Sequence, residues 1–282
     1  MLIQLGYDIE FEFAAPTTTV AVLHVHPSRK ADLVEKDEVR ITPHAETSDY
    51  LDSFGNLCTR FVAPQGTVRL RNSTLIWDSG RPDEVGTFAR QHAVDELPTA
   101  VLRFLLASRY CEVDRLSEIA WSLFGNYPKG WPLVQAICDW VHNNVTFGYQ
   151  FARPTKTAVD VWNERNGVCR DFQHLALTMC RCMNIPARYV TGYLGDIGVP
   201  PMDAPMDFSA WFEVYLGGRW WTCDARFNVP RIGRVLMATG QDAADVAITT
   251  SFGSSALKKF QVFTDEVKEA THSAGSAASF AD

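Results

Sequence analysis

Asn166-Gly167-Val168-Cys169-Arg170-Asp171-Phe172 is the stretch in which a glycine-containing loop turns into an amphipathic helix. From Phe172 to Met183, apolar residues recur at intervals of three and four, as one buried helix face requires. Pro186 forbids continuation, so the sequence predicts a helix from about Cys169 to about Met183. Cys169 therefore lies in the first turn, where unpaired N–H groups and the helix dipole favour a thiolate over a thiol.

Residues 207–226 predict a β-hairpin. Gly217-Gly218 separates two runs rich in aromatic and β-branched residues, which is typical of a two-residue turn. The implied register places Trp211 opposite Asp224 and Ser209 opposite Arg226, with all four on one face. Ser209 and Asp224 are then diagonal neighbours, roughly 7–8 Å apart at Cα. A histidine at position 209 could span that distance more readily than a serine hydroxyl.

Four stretches in this part of the chain resemble the bacterial transglutaminase-like proteins, which are grouped with papain-like thiol enzymes as candidate cysteine proteases. They occur in the family's order and spacing over about sixty residues. The stretches are 167–176 (GVCRDFQHLA), 185–193 (IPARYVTGY), 210–215 (AWFEVY) and 221–224 (WTCD). The resemblance implies an α+β core in which the nucleophile helix packs on an antiparallel sheet.

The resemblance also implies catalytic residues, which are Cys, His and Asp in the family. By motif, Cys169 takes the nucleophile position and Asp224 that of the orienting carboxylate. The histidine position of the pattern Asp-x-His-Ala-Trp is occupied by Ser209. This departure matters because a thiol mechanism needs an imidazole to accept and return a proton, and a serine hydroxyl has no useful basicity near neutral pH.

Three interpretations of the missing imidazole stay open. Another histidine could replace it, although helix geometry turns His174 away from Cys169, and His142 could approach only through tertiary packing. Alternatively, Cys169 works as a thiolate held by the helix terminus, with Asp224, Ser209 and a water transferring protons slowly. In the third interpretation the protein has lost turnover and binds a peptide or amide ligand.

Each candidate residue also has a purely structural interpretation. Cys169 could be a small buried hydrophobe, and Asp224 could end a strand and cap a turn. Trp211, beside the predicted pocket, is a candidate substrate contact and equally a candidate for sheet packing. His174 is expected to be a core histidine.

The distribution of patterns predicts two structural units. Alternating apolar residues make residues 1–85 a β-rich N-terminal domain. Helical patterns follow, including one opened by Trp131-Pro132, and strands return from Ala187, so residues 86–270 are expected to form the α+β core. Residues 271–282 are small and polar and are expected to be a flexible tail.

Composition narrows the function classes. The 26 Lys and Arg against 33 Asp and Glu give a net charge of −7, and without a basic patch this disfavours a nucleic-acid partner. No apolar run approaches membrane-spanning length, and the N-terminus lacks a secretory pattern, so a cytoplasmic location is expected. Seven cysteines without paired spacing agree with reduced thiols.

We expect neither a metal nor a cofactor. Cys180 and Cys182 are two apart on a helix, which splays their sulfurs, and no second ligand pair has zinc spacing. His24 and His26 share a strand face without carboxylate company. The expected function is acyl transfer or hydrolysis on a peptide or glutamine-type amide through a thioester at Cys169, with a peptide or protein substrate as the partner. The alternative is a catalytically impaired descendant that binds such a ligand. The oligomeric state, and the choice between hydrolysis and transamidation, stay open.

Overall fold

A computed structural model describes residues 1–201 and 206–267. The helices in these residues are α1 (Thr99–Leu102), α2 (Val113–Phe124), α3 (Trp131–Asn144), α4 (Ala158–Glu164) and α5 (Cys169–Cys182). The strands are β1 (Leu2–Phe13), β2 (Thr17–Ala21), β3 (Arg40–Thr42), β4 (Thr47–Leu51), β5 (Leu57–Ala63), β6 (Gly66–Trp77), β7 (Thr146–Phe147), β8 (Asn166–Gly167), β9 (Ala187–Tyr193), β10 (Ser209–Leu216), β11 (Arg219–Cys223), β12 (Val235–Gly240), β13 (Thr249–Ser251) and β14 (Ser255–Glu266).

The core is an antiparallel sheet with strand order β11-β10-β9-β12, and α5 packs against β9 and β10. Helices α2, α3 and α4 surround the rest of α5. From Phe172 to Cys182 every residue of α5 is buried, and the apolar ones join one core with α2, α3 and the sheet. The predicted α+β class, with the nucleophile helix on an antiparallel sheet, is confirmed.

The N-terminal region forms two further sheets, with strand orders β14-β1-β6-β3 and β13-β2-β5-β4. Their facing apolar side chains, including Ile3, Leu5, Phe61 and Leu70, make a second core. Ile3, Leu5, Tyr7 and Ile9 alternate along β1 on its buried face, as the period of a strand requires.

The predicted division at residue 86 stays a prediction; residues 249–266, which it assigns to the core domain, pair with N-terminal strands in the structure. Strand β14 pairs with β1 along nearly its whole length, and β13 pairs with β2. The chain thus returns to complete both N-terminal sheets. Sequence patterns give the period of a strand but not its partner, so this pairing was not foreseen. The predicted tail, 271–282, lies outside the described residues.

The hairpin formed by β10 and β11 has the predicted two-residue turn, with φ of 59° at Gly217 and 88° at Gly218. Its ladder keeps the predicted register from Leu216 opposite Arg219 to Phe212 opposite Cys223. The predicted pairs beyond it are not formed, because the chain turns away after Cys223.

Among the described residues, no helix combines the length and the apolar character needed to cross a membrane. All seven cysteines are free thiols.

Candidate active site

The start of α5 is fixed by a carboxylate in its first turn. Val168 has extended backbone angles, and its N–H donates to Asp171 Oδ2 at 3.0 Å. A Cβ on Gly167 would lie 2.6 Å from the Cβ of Asp171, so glycine at 167 lets the loop approach the helix this closely. Cys169 is consequently the first residue of the helix, as predicted.

The loop before Cys169 is anchored by a buried cation. Lys156, whose side chain is 1% exposed, donates through Nζ to the carbonyl of Asn166 at 3.1 Å and to its Oδ1 at 2.8 Å. Its charge is balanced by Glu164 at 3.0 Å. Hydrogen bonds to Arg153 and, next, to Lys156 lower the pKa of Glu164 to about 2. A buried lysine without these partners would be costly, so they hold this loop in one conformation.

Cys169 opens into a cleft of about 520 Å³ between α5, β9, β10 and the 243–248 segment. Apolar side chains predominate in its lining, together with a few charged ones. Its lining comprises Tyr110, Ala152, Arg153, Pro154, Val168, Cys169, Arg170, Tyr189, Thr191, Asp207, Phe208, Ala210, Ala243, Ala244, Val246, Ala247 and Ile248. A cleft of this size accommodates a side chain and neighbouring backbone of a peptide.

The thiolate expected at Cys169 stays a prediction, and the surroundings of the sulfur oppose it. Burial, and next the Asp207 carboxylate, raise the pKa of the Cys169 thiol to about 11. Arg226 and a backbone N–H at Arg170 act in the opposite direction, but they do not outweigh the loss of water. Cys169 begins the helix as predicted. The burial of its thiol depends on tertiary packing, which the sequence pattern does not give.

Asp224 lies just beyond β11, where its carboxylate turns the chain. Oδ1 accepts the N–H of Arg226 at 2.9 Å and that of Phe227 at 3.2 Å. It also accepts Gln173 Nε2 at 2.9 Å, and Gln173 is one turn after Cys169 on α5. Oδ2 accepts a guanidinium N–H of Arg234 at 2.9 Å. Asp224 therefore lies on the Cys169 side of α5 and also has the turn-capping role that was its alternative interpretation.

Ser209 begins β10 opposite Gly192 of β9, and it is partly exposed. Its carbonyl accepts the hydroxyl of Thr191 at 3.4 Å. The neighbouring Phe208 and Ala210 both line the cleft. The assignment of position 209 to the family's imidazole position stays a prediction.

Trp211 is 2% exposed, and the guanidinium of Arg234 lies 5.0 Å from its ring centroid. Close packing extends to β9, because a Cβ on Gly192 would lie 2.6 Å from the Trp211 ring. These contacts match the packing interpretation of Trp211, which does not line the cleft; a substrate contact by Trp211 stays a prediction.

Six of the seven histidines belong to the described residues, and none of the six lines the cleft. His174 is fully buried and stacks on Tyr110 with ring centroids 5.1 Å apart. Its Nε2 accepts the N–H of Ala243 at 3.1 Å, and burial holds its pKa well below its usual range. His142 is exposed, and its Nδ1 donates to the carbonyl of Arg226 at 2.8 Å.

Two charged residues at the site were missed. Asp207 lines the cleft, and Arg226 interacts electrostatically with both Asp207 and Cys169. Although Asp207 is exposed as a residue, packing around its carboxyl raises its pKa. Asp207 precedes β10 and Arg226 follows β11, so the register of the hairpin brings neither of them to Cys169. Asp207 lines the cleft from the segment before β10, and Arg226 follows the turn after β11.

Metal binding has no candidate centre in the described part of the chain, where no group of three or more His, Cys, Asp and Glu side chains could hold an ion.

Comparisons with known proteins agree with this architecture. The sequence profile of the transglutaminase-like superfamily matches residues 123–225. The crystal structure of a candidate cysteine protease from Cytophaga hutchinsonii superposes with a TM-score of 0.83 at 31% sequence identity, covering 96% of this chain and 92% of that protein. The chain therefore belongs to the transglutaminase-like superfamily, and it has the fold of a thiol enzyme.

Relatives are also found in mycobacteria. An uncharacterised protein of Mycobacterium leprae is 26% identical over 225 residues, which are 75% of this chain and 77% of that protein. An uncharacterised protein of Mycobacterium tuberculosis is 26% identical over 198 residues, which are 61% of this chain and 59% of that protein.

Proposed function

We propose that the Cys169 cleft binds a peptide or a glutamine-type amide, and that the protein is catalytically impaired relative to thiol enzymes of its superfamily. One observation carries this proposal: the partly buried Cys169 lines a cleft that none of the six described histidines lines. Burial, which raises the pKa of its thiol to about 11, supports the same proposal. Near neutral pH such a sulfur is almost entirely protonated, and the thiol is a poor nucleophile. Binding does not depend on deprotonation of the Cys169 thiol, so the cleft can still bind the backbone and a side chain of a ligand.

The state of Asp224 supports the same proposal. In a Cys-His-Asp mechanism the carboxylate orients the imidazole. Here its four hydrogen bonds come from Gln173, Arg234 and two backbone N–H groups. The carboxylate consequently holds the end of β11 against α5, a structural role that needs no catalytic partner.

A second candidate function is acyl transfer or hydrolysis through a thioester at Cys169. The position of Cys169 favours it, because the sulfur lies at the N-terminus of a 14-residue helix and faces an open cleft. Unpaired N–H groups there can stabilise developing negative charge. Slow turnover would then follow the small thiolate fraction and rise with pH.

One experiment separates these functions, with benzyloxycarbonyl-glutaminylglycine as the probe. The dipeptide is expected to slow alkylation of Cys169 by iodoacetamide at pH 9, while ammonia release at pH 7.5 stays at the level of Cys169→Ser. Absence of protection at millimolar dipeptide would contradict binding of this ligand class. Ammonia release that Cys169→Ser abolishes would establish the second candidate and overturn impairment.

The experiment can also identify an undiscovered base. If turnover appears, His142→Ala tests the imidazole that contacts the Arg226 carbonyl. His272→Ala tests the histidine outside the described residues. Loss of turnover in only one variant would assign the proton acceptor.

A further inference from the structure

Arg226 places a positive charge beside the start of α5. Its N–H is held by Asp224 at 2.9 Å and its carbonyl by His142 at 2.8 Å, so its backbone is fixed from both sides. Its guanidinium carbon lies 3.8 Å from the ring centroid of Phe147 and 4.6 Å from that of Phe227. Aromatic rings, which attract a cation without neutralising it, thus hold this side chain.

The Phe147 ring ties this charge to Cys169. Phe147 belongs to β7 and pairs with Gly167 of β8, two residues before Cys169. It also packs on Phe172, in the first turn of α5, with ring centroids 6.4 Å apart. A guanidinium lying on Phe147 is therefore held near the sulfur by the loop that presents it.

Three groups around the cleft respond to the same charge. Arg226 interacts electrostatically with the Cys169 thiol, the Asp207 carboxyl and the Tyr149 hydroxyl. The other arginines at the cleft have acidic partners, since Arg153 pairs with Asp160 and Glu164, and Arg170 pairs with Asp171. Arg226 divides its charge between the Asp207 carboxyl and the Cys169 thiol, and its side-chain charge lowers the pKa of that thiol.

We propose that Arg226 is the cation that pairs with the Cys169 thiolate. Its guanidinium supplies the positive charge that an imidazolium would place beside the sulfur, but it does not accept the thiol proton. A guanidinium has no basic nitrogen to accept the thiol proton, which goes to hydroxide or buffer. Cys169 is therefore expected to react in proportion to hydroxide, with Arg226 stabilising the anion once it forms. This inference rests on a Cys169 that is reachable from the cleft, as the proposed function does.

The test is the pH profile of Cys169 alkylation by iodoacetamide, read by peptide mass spectrometry. An opposite charge within about 4–6 Å lowers a pKa by about 1–3 units, and solvent in the open cleft favours the lower end. Arg226→Gln is expected to move the profile upward by about one unit, and to slow alkylation at pH 8 about tenfold. Arg226→Lys should restore most of the rate, because it keeps the charge.

Arg219→Gln is the matched control, because Arg219 also lies over an aromatic ring, 3.9 Å from the centroid of Trp221, but it pairs with Glu84, whereas Arg226 acts on the Cys169 thiol. Its profile should equal that of the parent protein. Coincident profiles for the parent and Arg226→Gln would overturn the proposal, as would Arg226→Lys reacting as slowly as Arg226→Gln.

A salt titration of Asp207→Asn gives a second measurement if Arg226→Gln does not fold. Asp207 acts on the thiol more strongly than Arg226 and in the opposite direction, so it is neutralised first; raising KCl from 0.05 to 1 M should then move the Cys169 profile upward, since salt screens mainly the Arg226 charge. An unchanged profile would count against the pairing. If the dipeptide does not protect Cys169, the proposed function is wrong, but the pH profiles of alkylation still test the pairing with Arg226. Failure of the proposed function is therefore distinguishable from failure of this inference.

Discussion

Replacing Ser209 by histidine tests whether the missing imidazole accounts for the inert thiol. With a pKa of about 11, Cys169 is ionised in only about one molecule in three thousand at pH 7.5. An imidazolium beside the sulfur would lower its pKa by about 1–3 units. Ser209→His is therefore expected to raise the alkylation rate at pH 7.5 by about tenfold to a thousandfold.

The carboxylate has room to orient a new imidazole. Asp224 Oδ1 accepts three hydrogen bonds, from Gln173 and the N–H groups of Arg226 and Phe227, whereas Oδ2 accepts one, from Arg234. A carboxylate oxygen accepts two bonds readily, so Oδ2 can take an imidazole N–H without displacing Arg234. Ser209→His should therefore keep the hydrogen bonds of Asp224 that stabilise the fold.

The assay is the rate of iodoacetamide incorporation at Cys169 from pH 6 to 11, with folding checked by circular dichroism. Ser209→Gln is the matched control, since its side chain has a similar reach and no basic nitrogen. The reasoning is refuted if folded Ser209→His follows the profile of the parent protein, because position 209 is then not the imidazole position. It is equally refuted if the parent's profile levels off below pH 9.

Three further predictions concern the scaffold. Lys156→Ala should lower the free energy of unfolding by about 2–3 kcal/mol in urea titrations, because the Cys169 loop loses charged hydrogen bonds; an unchanged midpoint would contradict this. Gly192→Ala should lower the free energy of unfolding by about 1–3 kcal/mol, since the new Cβ would lie 2.2 Å from the Val235 carbonyl oxygen. Gly148→Ala is the control and should lower it less, because its Cβ would meet only the flexible side chain of Gln150. Equal melting temperatures of the two variants would contradict this. Removing residues Ser255–Glu266, which form β14, should open the amides of the N-terminal sheet to hydrogen exchange, because β1 loses its partner strand. Protection that persists in these amides would show that the N-terminal sheet folds without β14.

Much of the core was predictable because its signals are local. The period of apolar residues after Phe172 and the proline at 186 were enough to give α5 within a residue, and Gly217-Gly218 gave the turn and register of the hairpin. Extending that register to Asp224 failed, because the Asp224 side chain captures the N–H groups of the two residues that would have continued the ladder.

The sequence by itself determined the α+β class, the superfamily resemblance, the place of Cys169 at a helix start and the serine where the pattern has histidine. Each of these depends on spacing along the chain or on residue identity. Only the tertiary structure decided that β14 completes the N-terminal sheet, that the charge of Arg226 acts on the thiol and that burial raises the pKa of the thiol. Strand partners, charge neighbours and the removal of water depend on which distant segments meet in space, and that is why no local pattern encodes them.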